Sequence, residues 1–296
     1  MSHAIIEALA IFGAGIAAGT INTVVGSGTL ITFPTLLAFG YPPVLANVSN
    51  TVGLVPGVAS GVYGYRAELT GQRRRVLRLG SASMCGGLVG AILLLVLPAE
   101  AFKAIVPALI GLALVLVVVQ PWLSEWVAAR QQARANARVA RVRGRAAAAG
   151  PGSDRAWCER QGDKGGNGGP GCPETSTASA TGGLVLWLLV FATGIYGGYF
   201  GAAQGVLLLG LLGIVFTDGL QRINAVKNVL AGVVNGVAAL VFIAFSHVAW
   251  GAAGLIAAGS IIGGQVGARV GRRLPPWALR LAIICVGVAA LVKLLV

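Results

Sequence analysis

Apolar residues do not alternate with polar ones along this chain; they come in long blocks, at 5–39, 44–65, 76–97, 102–122, 183–216, 223–246, 250–271 and 277–296. Most unbroken blocks approach or exceed the roughly 20 residues that cross a ~30 Å hydrocarbon core as helix. The pattern predicts an all-α polytopic membrane protein, two sets of four blocks with a polar stretch between. The first block of each set is longer and interrupted by glycine, at Gly19-Thr-Ile-Asn-Thr-Val-Val-Gly-Ser-Gly28 and Gly194-Ile-Tyr-Gly-Gly-Tyr-Phe-Gly-Ala-Ala-Gln-Gly205. Unpaired N–H and C=O groups cannot face hydrocarbon, so each break must be buried in protein or line a wet cavity. Each is read as half of one binding site.

The two sets are copies. Gly86-Gly-Leu-Val-Gly-Ala91 recurs as Gly263-Gly-Gln-Val-Gly-Ala268, an offset of 177, and the same offset carries Leu97-Pro98 onto Leu274-Pro275 and Asn47-Val-Ser-Asn-Thr-Val52 onto Asn224-Ala-Val-Lys-Asn-Val229. The breaks match at 175, with Gly19 and Gly26 repeating the spacing of Gly194 and Gly201. Three anchors in one register argue duplication. The expected domains are a first transmembrane repeat at 1–123, a basic and largely disordered cytoplasmic linker at 124–182, and a second repeat at 183–296.

Composition agrees with the blocks: 56% hydrophobic, 10% charged, with a net charge of +13. In a soluble protein that charge would suggest nucleic acid. Here its location matters, because basic residues mark cytoplasmic loops and no nucleic-acid partner is expected. Arg66, Arg73, Arg74, Arg75 and Arg78 follow the second block against Glu68 alone, and the linker carries nine Arg and Lys between 128 and 182. Arg130, Arg134, Arg138, Arg141 and Arg145 share one helical face. In the second copy Arg269, Arg272 and Arg273 sit at the far end of the Gly-Gly-x-Val-Gly-Ala helix, whereas Arg73 to Arg75 sit at the start of its counterpart. Equivalent helices therefore point opposite ways, the charge signature of an inverted-topology repeat. Parity makes the second broken block a re-entrant hairpin, since its 34 residues give about 51 Å of helix, short of the roughly 60 Å of two crossings, and symmetry extends this to the first. Both termini are then outside.

No carboxylate lies in the apolar centres, which disfavours cation transport. Nothing resembles a Ser-His-Asp, Cys-His or two-carboxylate constellation, so neither enzyme chemistry nor a metal or other cofactor is expected. Cys85 and Cys285, inside apolar blocks, read as packed thiols. What remains is a set of uncharged donors beside broken helices. The first break supplies Asn22, Thr23, Gly26, Ser27 and Gly28; the second supplies Tyr196, Gly197, Gly198, Tyr199, Gly201 and Gln204. The helices that follow add Asn47, Asn50 and Thr51, and Asn224, Lys227 and Asn228. Half-helix N-termini offer free N–H groups and partial positive charge, which suits an anion. Two alternatives stay open for the last group: Asn47 and Asn224 as ligands or as interhelical hydrogen bonds, and Lys227 as an anion-attracting charge or as a lysine snorkelling to the cytoplasmic interface.

The string Gly194-Ile-Tyr-Gly-Gly-Tyr-Phe-Gly201, with Gly19 to Pro34, Ser246-His-Val-Ala-Trp250 and Gly263-Gly-Gln-Val-Gly-Ala-Arg269, resembles the TauE/SafE family of sulfite and organosulfonate exporters. The resemblance covers both halves and excludes the linker. It implies a bacterial-type inner-membrane carrier for a small sulfur-containing oxyanion or related organic anion, often working outward; alternating access is the expected mechanism. An uptake permease or an anion channel on the same fold are the alternatives. Similar proteins often carry a longer glycine run in place of Ala202-Ala-Gln204 and an acidic residue in place of Ala249, so the resemblance leaves the substrate open. The oligomeric state is not legible.

Overall fold

A computed structural model describes residues 2–148, 180–216, 218–270, 284, 285 and 288. Most of the last apolar block, Arg272, Arg273 and most of the linker lie outside them. The described chain is all helix: α1 (Ser2–Val24), α2 (Thr29–Ala38), α3 (Pro43–Gly64), α4 (Arg73–Val96), α5 (Ala99–Ala148), α6 (Ala180–Tyr199), α7 (Gln204–Val215), α8 (Leu220–Phe245) and α9 (Trp250–Val270). Five of these are long and apolar enough to cross a membrane, and α2, α7 and the apolar part of α6 are shorter. The outer faces of α4, α5 and α6 expose Leu88, Ile92, Leu93, Leu112, Val115, Leu184 and Leu188. Such a continuous aliphatic surface suits lipid rather than water. Trp122, Trp126 and Trp250 are exposed at segment ends, where amphipathic rings anchor at the headgroups.

Helix α5 differs from expectation at its end. It continues past Trp122 without a break to Ala148, 50 residues in all, or about 75 Å. The stretch holding the arginine stripe is therefore helical as an extension of a span, and Arg130 lies 4.9 Å over the Trp126 ring. Cys85 is likewise not packed: it is exposed on α4, as is Cys285. The periodic glycines beside Cys85 take the interior face instead.

Those glycines set the packing. Helix α1 lies along α9, with Gly15 against Ile256 and Gly259, and Gly19 against Ser260 and Gly264. Helix α3 also lies along α9, pairing Gly53 with Ile256, Gly57 with Ser260 and Gly64 with Ala268. Helix α4 lies along α6, with Gly86 against Phe191 and Gly194, and Gly90 against Ile195 and Tyr199. Contacts advance in the same direction along each pair, so these helices are parallel. In lipid there is little hydrophobic drive between helices, and close backbone approach over small residues replaces it.

At one end, the loop after α3 is tied to the loop before α8. Arg75 reaches Asp218 at 2.5 Å and stacks 3.7 Å over the Phe216 ring, while Arg222 donates to the Thr70 carbonyl at 3.1 Å. Elsewhere the Tyr41 hydroxyl donates to Glu7 at 2.9 Å, pinning the end of α2 to α1. Burial, and then the Glu7 carboxylate, push the Tyr41 phenol upward.

Candidate functional site

The two glycine breaks meet. Residues 25–28 separate α1 from α2, and residues 200–203 separate α6 from α7. The Gly205 N–H donates to the Gly26 carbonyl at 3.1 Å. A Cβ on either glycine would sit 2.5 Å from the other's Cα, closer than any side chain tolerates. Gly26 has φ +91° and Gly201 has φ +76°, left-handed values that glycine adopts without steric cost. The residue at the start of α7, Ala203, is also left-handed, at φ 59°. The chain thus accepts strain to turn at this junction.

Around the junction, four helix ends converge. Val25 and Gly26 both donate back to the Ile21 carbonyl, and Phe200 and Gly201 both donate to the Tyr196 carbonyl, so α1 and α6 close in the same way. Each is then held by an amide from the opposite half of the chain. Asn47 of α3 donates to the Tyr199 carbonyl at 2.9 Å, and Asn224 and Asn228 of α8 donate to the Thr23 carbonyl at 3.3 and 3.2 Å. Lys227 lies 3.5 Å from the same carbonyl. It is fully buried, which rules out the snorkelling alternative. Its ammonium faces the carbonyl end of α1, the negative pole of that helix.

The starts of α2 and α7 present the opposite chemistry. Among the described residues, the N–H groups of Ser27, Gly28 and Thr29, and of Ala202, Ala203 and Gln204, have no acceptor. Two buried side-chain donors at the breaks also lack one, the Ser27 hydroxyl and the Gln204 amide nitrogen, as does the Tyr199 hydroxyl, whose ring packs against Phe102 of α5. Their residues are 0%, 2% and 7% exposed. An unpartnered buried donor costs about 1–3 kcal/mol. A protein that keeps two beside six free N–H groups is furnished for an acceptor-rich guest.

Other expected residues take supporting places. Gln204 lies over Gly197, where any Cβ would strike its amide. The Tyr196 hydroxyl spans its own break to the Ala202 carbonyl. Asn50 donates to Thr29 Oγ1 at 3.3 Å and accepts from Thr32. Thr51 turns back to its own helix, at 2.9 Å from the Asn47 carbonyl. Gly198 packs on Gly87 of α4, away from the junction, and Asn22 is half-buried with no hydrogen bond among the described residues. Thr32 and Asn235 were missed. Thr32 falls one turn after Thr29, and Asn235 two turns after Asn228, its Oδ1 facing Gly201 alongside Thr29; the helical period was the available signal.

Among the described residues no group of His, Cys, Asp and Glu could hold a metal, and no carboxylate pairs with Lys227. The family model described as sulfite exporter TauE/SafE matches residues 11–294. The chain belongs to the TauE/SafE family. The TauE/SafE chain is also 30% identical over 100 residues to a probable membrane transporter protein, ORF9, of a Sinorhizobium species, a stretch covering 34% of this chain and 38% of that relative. No solved structure matches it.

Proposed function

We propose that this TauE/SafE member is a secondary transporter that exports sulfite or an organosulfonate by alternating access, built from two inverted repeats whose breaks form one anion site. The observation that carries the proposal is the Gly26–Gly205 junction, where two half-helix N-termini bring free N–H groups beside Ser27 and Gln204. Stripping water from an oxyanion is costly, so several charge-assisted donors must act together.

Helix directions support the inversion. Near Thr23, α8 presents its first turns, Asn224 and Asn228, where α3 presents Gly61 from its last. Near Gly201, α8 presents Asn235, while α3 presents Asn50 to Thr29. The counterparts α3 and α8 therefore run antiparallel. The pairing of α1 with α9 is likewise answered by that of α6 with α4. Together with the arginine distribution, this supports a cytoplasmic linker, both termini outside, and hairpins entering from opposite sides. The Arg75–Asp218 bridge then lies on the cytoplasmic side, where it ties the halves together.

Flux of radiolabelled sulfite from proteoliposomes tests the proposal. Each hydrogen bond to a charged group is worth about 1.5–3 kcal/mol, so Ser27→Ala and Gln204→Ala should each slow flux roughly 10- to 100-fold. Variants that match wild type would remove these donors from the site.

A further inference from the structure

The junction holds one buried cation among the described residues, Lys227, and no buried carboxylate beside it. Its counterpart at the 177 offset is Asn50, so the charge is where the two halves differ. Asn50 is satisfied by Thr29 and Thr32; Lys227 has a single long contact to a carbonyl that Asn224 and Asn228 already occupy. An ammonium so placed carries an uncompensated charge in a low-dielectric interior. It needs a counterion of one unit.

The amides add a second constraint. A carbonyl only accepts, so the Asn47 and Asn224 nitrogens face Tyr199 and Thr23, and their Oδ1 atoms are left buried without a donor. Besides its free donors, the site therefore has acceptors to satisfy. A guest with a proton to give satisfies both sets, whereas a sulfonate satisfies the donors alone.

Resting on the proposed transport function, we infer that the cargo is taken as a monoanion, with Lys227 as its charge partner: a protonated oxyanion such as hydrogensulfite, or a sulfonate, and not a dianion. A second negative charge would find no cation there and would be buried uncompensated. The titratable groups on helices packed against α8 are Tyr63 of α3, Arg73, Arg74, Arg75, Arg78 and Cys85 of α4, and Tyr196 and Tyr199 of α6. None bonds to Lys227.

The experiment compares three labelled anions in wild-type proteoliposomes across the neutral pH range: methanesulfonate, always a monoanion; sulfate, always a dianion there; and sulfite, which gains a proton within it. Methanesulfonate should be the fastest at every pH, sulfate slower than it by about 100-fold, and the ratio of sulfite to methanesulfonate flux should fall as pH rises. Lys227→Met should abolish methanesulfonate flux and Lys227→Arg should retain part of it. Sulfate as fast as methanesulfonate, or a sulfite-to-methanesulfonate ratio that stays constant or rises with pH, would overturn the monoanion inference and leave an anion transporter standing. Absence of flux for all three would overturn the transport reading itself.

Discussion

Gly26→Val should reduce anion flux at least about 100-fold, the largest functional loss expected from a single change. Two costs add at that position. The left-handed backbone resists a β-branched side chain, at about 1–3 kcal/mol, and its Cβ lies 2.5 Å from the Gly205 Cα, where only backbone can yield, at roughly 1–3 kcal/mol more. Yielding means parting the two breaks, which displaces the free N–H groups from each other. Gly40→Val is the control: Gly40 is also left-handed, at φ +87°, but nothing lies within 4 Å of its Cβ position. It should lose stability without a comparable loss of flux per folded molecule. Equal flux losses in the two would show that strain alone, and not the junction, is responsible.

Gly90→Ala should produce the largest loss of stability. Its Cβ would fall 2.1 Å from the Ile195 carbonyl oxygen and 2.8 Å from the Tyr199 nitrogen, forcing α4 away from α6 at the turn that leads into the second break. Overpacking of this kind costs about 1–3 kcal/mol, and more when the obstacle is backbone. Gly80→Ala, ten residues earlier on α4, meets nothing within 4 Å and gains helix propensity of about 1 kcal/mol. The two alanines should thus shift thermal unfolding in detergent in opposite directions. A shared direction would mean that α4 and α6 do not approach as closely as described.

Much of this was legible before any coordinates, because glycine in an apolar block has few reasons to be there. The breaks, the donors beside them and the matched registers follow from residue type and spacing. What an offset cannot give is partnership: it relates Asn47 to Asn224, yet each bonds to the other half's helix end, Tyr199 and Thr23. The burial of Lys227 was equally hidden, since a lysine four carbons long reaches either an interface or an interior. Helix α5 outran its apolar block because Arg, Ala and Gln are good helix formers once a span has nucleated the helix. Cys85 faced outward because the interior positions of α4 are claimed by Gly86, Gly87 and Gly90.

The central claim is that an anion sits where the two breaks meet. Place a cysteine at Ser27 in a chain lacking its four native cysteines, and measure its labelling by a water-soluble maleimide in membranes with and without methanesulfonate. Labelling that occurs and is slowed by the anion is the predicted result; a thiol that never reacts, or reacts at the same rate whatever anion is present, would contradict the account.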